Sequence, residues 1–174
     1  MRVLLARLLV VVAMLALAGC TQRVGGTPDD SSSSAAASVG PVDLAVPVEL
    51  RPVLAAGATA PPDAEVLADP SGERLTLLEP MLTVRRLDKG EVSFDQTNGT
   101  WVLTLDLTEQ DGKDFGDWTT DNVGERLAMV VDDEVLIAPQ IQSGITGGEI
   151  VISPGQDGYT QDEARDLLDK ITGK

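Results

Sequence analysis

The chain reads as an α+β protein: a single small domain with a mostly antiparallel sheet and two or three helices. Three observations predict this. A hairpin signature occupies "EVSFDQTNGTWVLTLDLT", an amphipathic pattern closes the chain at "TQDEARDLLDKI", and strand-like and helix-like runs mix without strict βαβ alternation. Residues 41–174 are long enough for one domain with its own core.

In chain order, Val42, Leu44, Val46, Val48 and Leu50 alternate with Asp43, Ala45, Pro47 and Glu49, the pattern of a half-buried strand. Pro47 cannot donate to a ladder, which predicts that this strand lies at a sheet edge. The Pro-, Ala- and Gly-rich stretch 55–73 reads as a long mobile loop. In the hairpin, Asn98-Gly99 is the preferred pair for a two-residue turn with positive φ at both positions. That turn sets Gln96 opposite Trp101, Phe94 opposite Leu103 and Val92 opposite Leu105. It puts the apolar side chains on one face, with Ser93, Asp95, Thr104 and Asp106 on the other. Thr108 with Asp111 is a capping pair for a short helix carrying Phe115 and Trp118 on one side. Asp132-Asp133 joins two short strands, Arg126 to Val131 and Glu134 to Ile137, and the glycines of "GITGGE" make a sharp turn before a further apolar run. Thr160 and Glu163 form a capping box, after which Ala164, Leu167, Leu168 and Ile171 recur at i, i+3, i+4 and i+7.

The N-terminus speaks to location. Arg2 and Arg7 precede an apolar run, Leu8 to Ala18, with the order of an export signal. A stable bilayer span needs about 20 residues, more than this run supplies. The run ends in "LAGC", which places Cys20 where a bacterial lipoprotein signal is cut and the cysteine acylated (palmitate among the attached chains). Residues 1–19 are therefore read as a signal peptide and residues 20–40 as the lipidated cysteine with a Ser-, Ala- and Gly-rich tether. The expected location is the outer face of the cytoplasmic membrane. Cys20 is the sole cysteine, so no internal disulfide can form.

Net charge is −15, and loss of Arg2 and Arg7 with the signal makes it −17. Such a chain is repelled by phosphate backbones and anionic headgroups, so no nucleic-acid partner is expected and the acyl chains must do the anchoring. There is no histidine, which removes the usual general base and the commonest metal ligand. Ser71, Ser93, Ser143 and Ser153 lie in neither G-x-S-x-G nor S-x-x-K contexts, and no phosphate-binding glycine loop is present. "TEQDGKD" fails as a calcium loop, since Leu107 and Trp118 would fall at its first and twelfth positions. Asp132, Asp133 and Glu134 read as a solvated turn rather than a cation site. Neither catalysis nor a cofactor or metal is expected.

A resemblance adds to this. Phe115; Thr119, Asn122, Gly124, Leu127 and Ala128; Ala138, Pro139 and Ile141; and Ile145, Gly147 and Gly148 fall in the order of motifs in the head of the first extracytoplasmic domain of SecD, and residues 48–170 as a whole resemble that domain. "YTQDEARDLL" resembles the helix that follows in the family, and "LRPVL" a segment just before the head. The chain departs from the family at Asp132-Asp133, where Asp-Gly is usual, and at Asp111, where a small or neutral residue is commoner. No counterpart of the family's transmembrane helices appears, so the resemblance implies a SecD-head-like fold acting as a detached, lipid-held head. It also implies contact with exported polypeptides or components of the Sec translocon. Ile137, Pro139, Ile141, Ile145, Gly147 and Gly148 become candidates for a partner-binding surface, with the strand at 42–50 as a second place for a polypeptide to pair. The competing expectation is a small-ligand or cation-binding lipoprotein that reuses the same fold.

Overall fold

A computed structural model of the chain describes residues 36–153 and 158–174. The signal peptide, Cys20 and most of the expected tether lie outside the described residues. The described residues form one compact unit.

Its elements are β1 (Ser38–Val39), β2 (Val42–Pro52), β3 (Glu65–Ala68), β4 (Arg74–Leu77), β5 (Leu82–Asp95), β6 (Thr100–Leu107), α1 (Glu109–Asp121), β7 (Leu127–Val131), β8 (Glu134–Ile137), β9 (Glu149–Ile152) and α2 (Gln161–Thr172). The main sheet is antiparallel in the order β8-β7-β2-β5-β6-β9, with β1 beside the far half of β5. This is the α+β class that the sequence predicts, with two helices.

Side-chain alternation builds two cores. From β2 and β7, Val48, Leu50, Leu127, Met129 and Val131 face the helices and join Leu87, Leu103, Leu105, Phe115, Leu168 and Ile171 in the main core. Ala128 and Val130 of β7, with Val53 just after β2, face the opposite way, where Leu75 and Leu77 of the β3–β4 hairpin cover them. Strand β7 is buried along its whole length because both of its faces are covered. The hairpin is also tied down by charge. The Arg51 guanidinium, 7% exposed, donates to the Leu78 carbonyl at 2.9 Å and to Glu65 at 2.7 Å, and Arg126 reaches Glu73 at 3.0 Å.

Both helices begin as expected. The Thr108 hydroxyl accepts from the Asp111 amide, and Thr160 and Glu163 form the complete reciprocal box. Helix α2 ends at Gly173 in the left-handed region, φ 74°.

Four sequence expectations are corrected. First, β2 is a central strand between β5 and β7. Pro47 is tolerated because it sits in the register break between Asp43 and Val48, just before pairing with β7 begins at Val48. Second, the β5–β6 hairpin pairs Phe94 with Trp101 and Val92 with Leu103, two residues away from the expected register. The Asp95 carboxylate accepts from the Thr97 and Asn98 amides and from the Asn98 side chain, which widens the loop to Gln96–Gly99 and leaves only Gly99 at positive φ, 68°. A slip of two preserves side-chain parity, so the expected faces survive. Third, the two-residue turn with positive φ at both positions occurs at Asp132-Asp133, φ 55° and 61°, between the paired residues Val131 and Glu134. Fourth, the stretch read as a mobile loop contains β3, and the Asp69 carboxylate closes the β3–β4 turn by accepting from Ser71 and Glu73. Ser38 and Val39, inside the expected tether, are already paired with β5.

Candidate functional site

The segment after β8 has to travel from one edge of the sheet to the other, because β8 and β9 are the two outermost strands. This crossover, residues 138–148, is pinned at several points. Arg126 donates to the Ala138 carbonyl at 3.1 Å, and the Ile141 and Glu125 backbones meet at 2.8 Å. The Ile145 amide donates to the buried Thr119 hydroxyl at 2.9 Å, and the Leu107 amide to the Gly148 carbonyl at 2.8 Å.

Glycines on α1 make this approach possible. A Cβ on Gly112 would stand 3.0 Å from the Gly148 Cα, and one on Gly116 would stand 3.3 Å from the Ile145 carbonyl oxygen. The crossover therefore lies backbone-to-backbone along one helix face.

Beneath it opens an apolar cleft of about 300 Å³. Leu50, Phe115, Leu127 and Met129 belong to its lining, and so do four of the sequence-predicted surface residues, Ile137, Pro139, Ile141 and Ile145. Gly147 and Gly148 do not line it. Gly148 instead takes the positive-φ turn, 66°, and the close contact with Gly112. Cys20 lies outside the described residues. Polar groups are few: Gln140, Gln142 and Ser143 on the crossover, and Glu149, the one ionisable side chain in the lining.

Sequence reasoning missed the contribution of β9. Glu149, Ile150 and Val151 all line the cleft. Side chains of a strand alternate between faces, so three consecutive residues border one cleft only along the strand's backbone edge. That edge has β6 on its inner side and, among the described residues, no strand on its outer side. Val151 and Ile145 stand 49% and 39% exposed beside it. The free strand edge expected at 42–50 is thus found at β9. No local pattern could have located it, because strand order is a property of the whole fold.

A second hollow of about 560 Å³ lies between residues 53–58 and Arg74 and Arg126. It is more polar, and Arg126 there is already engaged by Glu73 and the Ala138 carbonyl. Among the described residues, no group of three or more His, Cys, Asp or Glu side chains is placed to hold a metal ion. Asp132 and Glu134 instead flank Lys170, at 3.8 and 3.5 Å. No helix among the described residues is long and apolar enough to cross a membrane.

Fold and cleft together define a class: a small antiparallel-sheet head with two helices on one face and an apolar cleft under a crossover loop. Residues 64–171 match the family described as SecDF, P1 head subdomain, and the chain belongs to that family. It is 36% identical over 91 residues to the protein translocase subunit SecD of Thermobaculum terrenum, covering 52% of this chain and 17% of the relative. Against SecD of Aquifex aeolicus it is 35% identical over 109 residues, covering 61% and 21%. Each match thus spans about a fifth of the relative's length. A solved structure of SecDF, described as a membrane component that enhances protein export, superposes with a TM-score of 0.53 at 29% identity over 70% of this chain and 60% of that one. SecDF in a super-membrane-facing form gives 0.52 at 30% identity over 68% and 17%.

Proposed function

We propose that this chain is a lipid-anchored, extracytoplasmic head that binds extended polypeptide and serves protein export or envelope maturation by binding rather than catalysis. The observation that carries the reading is the apolar cleft bordered by the unpaired backbone edge of β9. An edge offers main-chain hydrogen bonds to any sequence, and the cleft offers a place for an apolar side chain, which is how a strand-adding site gains affinity without strict specificity. At about 300 Å³ the cleft sits at the lower end of the range for small-molecule sites, which favours a side chain or two over a whole ligand.

Support for the setting comes from family membership and from the Cys20 motif. Acylation of Cys20 holds the head at the outer face of the cytoplasmic membrane, and the partners are exported polypeptides or components of the Sec translocon.

The test titrates the full chain in mild detergent with an unfolded, signal-less secretory polypeptide, beside an Ile145→Asp variant. Ile145 is 39% exposed, so the substitution spares the core while placing a charge at the cleft mouth. The wild type is expected to bind with modest affinity and the variant at least about tenfold more weakly, the effect of losing about 1.4 kcal/mol. Absence of binding by the wild type, together with no exported or Sec protein captured by crosslinking in cells, would sink this reading in favour of the small-ligand one.

A further inference from the structure

The register of three strands aligns charged residues in a row across the face turned away from the helices. Lys89 on β5 stands opposite Asp106 on β6, and Asp106 stands opposite Glu149 on β9. The alternate row, Gly90, Leu105 and Ile150, belongs to the face where the core lies. Like charges directly opposite one another destabilise a strand pair unless a cation relieves them. Lys89 is the cation in this row, and its ammonium is held by Glu91 in a close ion pair. Among the described residues Glu149 has no cation within ion-pair distance. The row thus ends on an exposed acid at an edge with no further strand beside it.

We propose that β9 takes an extended segment as its outer neighbour and that Glu149 selects segments carrying Lys or Arg in register with it. The proposal rests on the polypeptide-binding reading and adds its specificity. A basic residue beside Glu149 would give this acid a cation at ion-pair distance and offset the repulsion from Asp106. With the antiparallel pairing that the rest of this sheet uses, the preceding residue of the segment would stand beside Ile150, whose side chain points into the core face, and so would enter the apolar cleft. The one before that would stand beside Val151, which is 49% exposed, and would cover it. Read from its N-terminus, the preferred segment is therefore β-branched, then compact aliphatic, then basic, in extended conformation.

Three labelled nine-residue peptides test this, sharing Ser/Thr flanks and differing only in a central Val-Leu-Lys, Val-Leu-Gln or Val-Leu-Glu. Each is titrated by fluorescence anisotropy into the full chain in mild detergent, wild type and Glu149→Gln. At low ionic strength the wild type is expected to bind the Lys peptide about threefold more tightly than the Gln peptide, and the Glu peptide most weakly. Added salt should narrow the spread. In Glu149→Gln the Lys-to-Gln ratio should fall to about one. That variant should also melt no lower than the wild type, because it removes the repulsion from Asp106. If the wild type binds all three peptides equally, or if the variant keeps the Lys preference, Glu149 is not the selector, although polypeptide binding stands. A lower melting temperature for the variant would overturn the like-charge premise. If no peptide binds while the unfolded secretory polypeptide does, the proposal falls and the polypeptide-binding reading stands; if neither binds, both fall.

Discussion

Replacing Asp133 with glycine should stabilise the domain. Asp132 and Asp133 form a two-residue turn at φ 55° and 61°, and both belong to a run of three acids that ends with Glu134. A side chain in the left-handed region costs about 1 kcal/mol or somewhat more, because its Cβ crowds the following carbonyl. Glycine removes that cost but gives back about 0.5 kcal/mol through the greater freedom of the unfolded chain. Lys170 lies near Asp132 and Glu134 but forms no ion pair with Asp133, so loss of the Asp133 charge relieves repulsion worth a few tenths of a kcal/mol at this exposed position. The net gain is about 0.5–1 kcal/mol, or roughly 2–4 °C in melting temperature for a domain of this size. Thermal and urea unfolding of Asp133→Gly and Asp133→Val measure it, the valine variant being expected to lose more than about 1 kcal/mol. A lower melting temperature for the glycine variant, or an unchanged one for the valine variant, would refute the assignment of this turn.

Arg51→Met should weaken the domain by about 1–3 kcal/mol in urea unfolding, because it leaves the Leu78 carbonyl and Glu65 without their donor, a cost that the partial exposure of Glu65 keeps from being larger. Unaltered stability would mean that the β3–β4 hairpin is held by Leu75 and Leu77 alone. Acid should also weaken the fold. Hydrogen bonds from Ser71 lower the Asp69 pKa, those from Asn98 and Thr97 lower that of Asp95, and those from the Thr160 amide and hydroxyl lower that of Glu163. Groups with depressed folded values contribute fully above their ordinary values of 3.8 and 4.5 and lose that contribution as pH falls through the folded ones. Melting temperature should therefore drop from pH 5 to pH 3, and less steeply in an Asp69→Asn, Asp95→Asn, Glu163→Gln triple variant; equal slopes would show that these three are not responsible. Cys20→Ala should release the protein from membranes or leave an unprocessed precursor, and normal processing with unchanged membrane fractionation would remove the lipoprotein reading.

What was legible in the sequence was local. The caps at Thr108 and Thr160 and the 3.6-residue spacing of Ala164, Leu168 and Ile171 are interactions within one turn or one helix face, and they specify α1 and α2 without reference to the rest of the chain. The faces of β5 and β6 were legible because parity survives a register slip of two, but their register was not. The Asp95 carboxylate, a side chain upstream of the Asn98-Gly99 pair, sets the loop width. Strand β3 is four residues in a Pro- and Ala-rich setting, and it is held by Arg51, a distant residue no local pattern connects to it. At the site, the order Ile137, Pro139, Ile141, Ile145 was visible through the family resemblance. That Gly148 serves a close contact with Gly112 rather than the cleft, and that β9 rather than β2 offers the free edge, follow only from packing and strand order.

The crossover links the fold to the proposed binding. Strands β8 and β9 are five inter-strand spacings apart in the sheet order, about 24 Å at the usual separation. The residues from 138 to 148 can span up to about 40 Å when fully extended, enough to make that crossing. Hydrogen bonds to Thr119, Glu125 and Leu107 pin the segment on the way. The wall over the apolar cleft is therefore set by the fold's own hydrogen bonds. A segment entering it meets a wall that is already arranged, so ordering entropy falls chiefly on the incoming chain. Two features of this sequence set those terms: an eleven-residue connection between the outermost strands, and glycines at 112 and 116 that let it lie close on α1.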